Sequence, residues 1–132
     1  MSVKNVLDDT FPVIPSNITN ISLTYTAGTS SITVDSFYTN NGAVCTLLIP
    51  GLNITGANGG TITITIPDAI IPAQTVSIYG FIYNNTSSIV AKLVASSNTI
   101  TLMDQNATSL VEGNFPVDSI TLNNRYITYQ TN

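Results

Sequence analysis

A chain of 132 residues and 14.0 kDa accommodates one domain with its own core and leaves no room for two ordinary ones. Only 8% of the residues are charged, the net charge is −4 and three residues are basic, so nucleic acid and anionic lipid find no electrostatic footprint here. With no histidine and the single cysteine Cys45, the chain lacks an internal disulfide, the commonest general base and the usual metal imidazole, and no cofactor is expected.

Small neutral polar side chains stand where charges usually would. The sequence holds 20 Thr, 13 Ser and 15 Asn beside 17 Ile. Thr and Ile suit a pleated surface, while Asn, Ser, Gly and Pro form turns. Strong helix formers such as Glu, Lys, Gln and Arg are scarce. This is the vocabulary of an all-β domain, and its few Lys and Arg leave trypsin little to cut.

Residues 1–17 carry Lys4, Asp8, Asp9, Pro12 and Pro15 without a sustained period, which predicts an extended lead-in or linker before a domain over 18–132. The opening MSVKNVLDD has no apolar stretch of the signal-peptide kind, and no apolar run is long enough to span a bilayer. From Ile18 onward, eight strand-like runs follow, separated by turn residues at sandwich or barrel spacing. They are ITNISLTYT (18–26), SITVDSFYT (31–39), AVCTLLI (43–49), GTITITI (60–66), VSIYGFIY (76–83), SIVAKLVA (88–95), NTITLM (98–103) and SITLNNRYITYQ (119–130). Asn41-Gly42 and Asn84-Asn85 supply residues tolerant of positive φ, as tight hairpins require.

The runs fall into two kinds. In GTITITI, Ile62, Ile64 and Ile66 oppose Thr61, Thr63 and Thr65, and in NTITLM, Ile100 and Leu102 oppose Thr99 and Thr101. Such strands have one wet face. AVCTLLI instead places Val44 and Leu48 opposite Cys45, Leu47 and Ile49, and SIVAKLVA places Val90 and Val94 opposite Ile89, Ala91 and Leu93. VSIYGFIY sets Val76, Ile78 and Ile82 against Tyr79, Phe81 and Tyr83. A two-sheet sandwich has one core, so a second buried face needs another cover, and a further copy of the chain is the expected one. The interface set predicted on this basis is Val44, Leu48, Val90, Val94, Tyr126 and Tyr129. The aromatics Tyr79, Phe81 and Tyr83 are read as ligand-stacking or interface residues.

The order of these elements carries a resemblance. Ile64-Thr65-Ile66-Pro67 followed by Ile71-Pro72, then the aromatic end strand Tyr126-Ile127-Thr128-Tyr129, resembles the trimeric jelly-roll head domains at the C-terminus of phage and giant-virus fibre or collagen-like proteins. Their fold is similar to tumour necrosis factor and the complement globular head. An Arg often precedes the second Pro in that family, and here the position is Ile71. The resemblance implies an eight-stranded antiparallel two-sheet jelly-roll sandwich. It also implies a homotrimer on the virion surface, with a host-surface glycan or receptor as a second partner and without membrane insertion. The alternative is a monomeric carbohydrate-binding or adhesin-type β-sandwich.

Other chemistry is thin. The acids Asp8, Asp9, Asp35, Asp68, Asp104, Asp118 and Glu112 are scattered, and Cys45 has no basic neighbour to activate it. A glycosidase needs two facing carboxylates, and solvated surface acids are the stronger reading of Asp104 and Glu112. Asp104-Gln105-Asn106 is oxygen-rich but lacks an alternating calcium loop, so a turn is favoured over a cation site. Sequons at Asn17, Asn20, Asn53, Asn84, Asn85 and Asn106 are expected by chance in a chain of this composition.

Overall fold

The computed structural model describes residues 17–55, 62–83, 87–104 and 119–132. The predicted lead-in lies outside them apart from Asn17, as do Asn84-Asn85 and Glu112, and of the stretch 104–106 only the Asp104 backbone is included. Ten strands run through the described residues in chain order. They are β1 (Ile18–Ala27), β2 (Ser30–Asn41), β3 (Val44–Ile49), β4 (Asn53–Thr55), β5 (Ile62–Thr65), β6 (Val76–Tyr83), β7 (Ser87–Leu93), β8 (Thr99–Asp104), β9 (Ser119–Thr121) and β10 (Arg125–Gln130). One 3-10 turn, Asp68–Ile70, interrupts the strands. The domain is all-β.

Two glycines set the first hairpins. Ala27 pairs with Ser30 and Asn41 with Val44, so each connection is two residues long. Gly28 and Gly42 occupy the first central positions with φ of +60° and +67°. That is where a two-residue turn of this kind demands a positive φ. The second turn is therefore Gly42-Ala43, one residue beyond the predicted Asn41-Gly42, and Asn41 ends the strand.

The strands pair antiparallel in one continuous series, β10-β3-β2-β1-β5-β8-β7-β6, with β4 and β9 forming a separate ribbon. A division into two sheets was expected. The link that joins them is β1, which pairs with β2 along its whole length and with β5 through Thr24–Ala27. The series then curls until its ends nearly meet. Before β6, the Ala73 amide donates to the Gln130 carbonyl (2.8 Å) and the Asn132 amide donates to the Ile71 carbonyl (3.1 Å). Pro72 and Thr131 form a bridge between those two bonds.

Inside the curled sheet lie Leu23, Tyr25, Leu47, Ile64, Ile100, Leu102 and Ile127, all buried in one apolar cluster. Outside run rows of hydroxyls. Thr24 pairs with Thr33 on one side and Thr65 on the other, and Thr65 pairs with Thr99. The Thr24 and Thr33 hydroxyls lie 3.1 Å apart. Cross-strand Thr pairs of this sort stabilise a sheet modestly while leaving its surface polar. The alternation predicted for GTITITI and NTITLM is thus the inside–outside alternation of the fold.

Strand β6 departs from simple alternation. Ile78 pairs with Ala91 and Phe81 with Ile89, so Tyr79 and Gly80 together face Val90 in a bulge. Gly80 adopts φ of +92°, which a side chain would resist. The extra residue resets the parity. Phe81 joins the core and Ile78 packs against it, although strict alternation put them on opposite faces.

Two further contacts shape the surface next to β1 and β2. The β2–β3 ladder runs from Tyr38–Leu47 to Asn41–Val44 and stops there. Just beyond it, the buried Ser36 hydroxyl donates to the Leu48 carbonyl at 2.5 Å, occupying an acceptor that the ladder leaves. The Tyr25 hydroxyl donates to the Pro50 carbonyl at 2.7 Å, tying β1 to the chain that leaves β3.

Candidate functional site

The outer face of β3 and β10 carries an apolar stripe. Tyr126 is 54% exposed and Val44 43% exposed, and Leu48 is half-buried between flanking strands. Leu48 pairs directly with Tyr126 and Val44 with Gln130. Phe37 of β2 meets the Tyr126 ring edge-on, with centroids 6.2 Å apart and planes at 61°. Between the apolar rungs, the Thr46 and Thr128 hydroxyls lie 3.1 Å apart. Three members of the predicted interface set, Val44, Leu48 and Tyr126, therefore share one face.

The other three lie elsewhere. Val94, just past β7, is exposed. Val90 is buried within the protomer, on the opposite side of β7 from the core and paired with Met103, which is buried too. The chain's own fold covers Val90, so it needs no second copy. Tyr129 is buried in the core, where its hydroxyl donates to the Ile70 carbonyl at 2.7 Å. Residues three apart on a strand point to opposite faces, which separates Tyr129 from the exposed Tyr126. Burial, with Cys45 adjoining, pushes the Tyr129 phenol far above its usual range. Burial likewise raises the Cys45 thiol, offset in part by its contact with Tyr129.

The aromatics of β6 do not form one surface either. Tyr79 is half-exposed on the bulge, while Phe81 is buried under the Arg125 guanidinium, whose centre lies 5.7 Å from the ring centroid. Of Tyr83 only the backbone is described, paired with Ser87. Arg125 Nη2 donates to the Tyr79 carbonyl at 3.1 Å, and its Nε is buried without a hydrogen-bond partner among the described residues. Nothing in the local pattern announced this role for Arg125; the Gly80 inside a strand run was the available signal.

A second feature lies on the other side of Phe37. Between β1 and β2 is a groove of about 440 Å³, lined among the described residues by Asn20, Ile21, Ser22, Asp35 and Ser36. Ser22 pairs with Asp35 and Asn20 with Phe37, so these side chains share the outer face. Asn20, Ser22 and Asp35 are exposed. Sequence reasoning missed this cluster; Asp35 in an otherwise uncharged strand run was its only sign. No group of three or more His, Cys, Asp or Glu able to hold a metal occurs among the described residues. No helix among them is long and apolar enough to cross a membrane.

The fold defines the class as an all-β domain built on a nearly closed antiparallel sheet. No family model and no curated protein sequence matches the chain. Among solved structures it is similar to a reovirus attachment protein, sigma1, determined in complex with alpha-2,3-sialyllactose. The match has a TM-score of 0.50 at 11% identity and covers 88% of this chain and 67% of that one. At that identity the likeness is one of fold.

Proposed function

We propose that this chain is a non-enzymatic structural and attachment domain of a virus particle, displayed on the virion surface as a homotrimer. The observation that carries the reading is the fold shared with a viral attachment protein. The apolar stripe of Val44, Leu48 and Tyr126 on β3 and β10 supplies the surface through which copies would pack. Tyr is enriched at such interfaces because one ring offers apolar area and a polar tip. The hydroxyl rows elsewhere give a surface of low charge that stays soluble and binds little non-specifically.

Light scattering tests the assembly. A homotrimer has a mass near 42 kDa, three times the 14.0 kDa chain. A mass of 14 kDa removes the trimer and leaves the second reading, a monomeric carbohydrate-binding or adhesin module. The polar groove between β1 and β2 is what favours that alternative. A host-surface glycan or receptor is the partner in both readings, and a glycan array on the purified domain addresses it directly.

A further inference from the structure

We infer that the groove between β1 and β2 binds a neutral carbohydrate, and that Asp35 selects against acidic ones. The inference rests on the attachment reading only in supposing that the domain meets glycans. Its size, about 440 Å³, lies within the range of small-ligand sites, roughly 300–1,000 Å³.

The lining chemistry matches a polyhydroxylated ligand. Asp35 offers two acceptor oxygens, which suit a pair of neighbouring sugar hydroxyls. The Asn20 amide both donates and accepts, and the Ser22 hydroxyl does the same. None of these three side chains makes a hydrogen bond to another described residue, so all three are available to a ligand, whereas Ser36 is already committed to the Leu48 carbonyl. Ile21, between Asn20 and Ser22 on β1, points to the other face and packs against the core, so the side chains offered to a ligand are the three polar ones.

Electrostatics then fixes the class of sugar. Asp35 is the one ionisable side chain among the described lining residues, and it is an acid. The Arg125 guanidinium is directed at Tyr79 and Phe81 of β6, and Lys92 lies on β7, far along the strand series from β1 and β2. Among the described residues no cation faces the groove, so a sugar carboxylate or sulfate there would meet a like charge. The net charge of −4 acts in the same direction.

The groove and the apolar stripe occupy opposite sides of Phe37. Phe37 pairs with Asn20 of β1 on one side and touches Tyr126 on the other.

The test uses the full chain on an array of matched glycans, each core printed with and without a terminal sialic acid, followed by titration calorimetry on the pairs that bind. The neutral member of each pair should bind more tightly, by roughly fivefold for one like-charge contact in water. Asp35→Ala and Asn20→Ala should each weaken the neutral glycan by roughly tenfold. Asp35→Asn, which keeps an acceptor and removes the charge, should bring the two members of each pair close together. Both positions are exposed, so circular dichroism should show an unchanged fold. The inference is overturned if the sialylated member binds as tightly as its neutral parent, if Asp35→Ala leaves neutral binding intact, or if no glycan binds. A 42 kDa particle that binds no glycan sinks this inference and spares the assembly reading; a 14 kDa chain that binds neutral glycans through Asp35 does the reverse.

Discussion

Arg125 at the start of β10 donates a hydrogen bond from Nη2 to the main-chain carbonyl of Tyr79 in β6, 3.1 Å away, and so joins the two end strands of the eight-stranded series. The same guanidinium lies over the buried Phe81 ring. One side chain thereby holds the seam at the point where the β6 bulge turns its carbonyl outward from the ladder.

Arg125→Ala removes a charge-assisted hydrogen bond and a cation–π contact together. The expected loss is about 2 kcal/mol of folding stability, read by urea denaturation. Amide exchange in β6 should accelerate more than in β1 or β2, because the damage is confined to the seam. An unchanged denaturation midpoint would remove the seam role.

Gly51 and Gly42 separate two reasons for a glycine. A Cβ on Gly51 would stand 2.4 Å from the Leu122 carbonyl oxygen and 2.8 Å from the Asn124 amide nitrogen, both of them backbone. Gly51→Ala must displace the chain between β9 and β10, at a cost of about 3 kcal/mol. A Cβ on Gly42 meets nothing within 4 Å, so Gly42→Ala carries only the penalty of its positive φ, about 1 kcal/mol. Equal losses from the two substitutions would contradict this distinction.

Alkaline pH should unfold the domain, and the sign follows from three buried acids. Cys45, Tyr25 and Tyr129 are all raised from ordinary values of 9.0, 10.0 and 10.0, mainly by burial. Below those values both folded and unfolded chains hold the protons, and the groups leave stability unaffected by pH. Above them the unfolded chain releases protons that the folded chain retains, so stability falls as pH rises. Denaturation midpoints should stay flat on this account up to about pH 9 and then decline. A flat profile through pH 11 would refute the burial of these groups.

Cys45 should be inert in the native state. Its thiol is fully buried and its raised pKa keeps it protonated at neutral pH. Labelling with a thiol reagent at pH 8 should proceed at the rate of unfolding and become rapid in denaturant. Fast, stoichiometric native labelling would place Cys45 outside the core.

The proposed assembly surface has its own substitution. Tyr126→Glu puts a charge on the stripe at a position that is 54% exposed in the protomer, so folding should be retained. Scattering mass should drop from 42 to 14 kDa, with the single-chain value fixed by the sequence. Glycan binding through Asp35 should persist in the resulting monomer.

The strands were legible because their alternation is regular wherever a face is uniformly wet. Ile62 to Ile66 and Thr99 to Leu102 declared inside and outside residue by residue, and Gly28 and Gly42 marked their turns to within one position. The misses have local causes. The Tyr79–Gly80 bulge shifts parity, so Phe81 turned inward when counting by twos placed it opposite Ile78. The run over 119–130 divides at Leu122–Asn124, where Gly51 and Leu52 cross it, as the Leu122 amide bonded to the Leu52 carbonyl at 2.8 Å shows. That crossing is a long-range event with no trace in the run itself. The groove was illegible for the same reason: Asn20 and Asp35 become neighbours only through the β1–β2 register.

The pairing of β3 with β10 also sets an order of events during synthesis. Cys45 and Leu47 leave the ribosome long before Tyr129 and Ile127, the residues that will lie beside them. Until then the nascent sheet has an open margin at β3, with its amides and carbonyls on offer to any passing strand. Completion must wait until β10 has been made, and neighbouring copies emerging from the same message are the nearest source of a wrong partner.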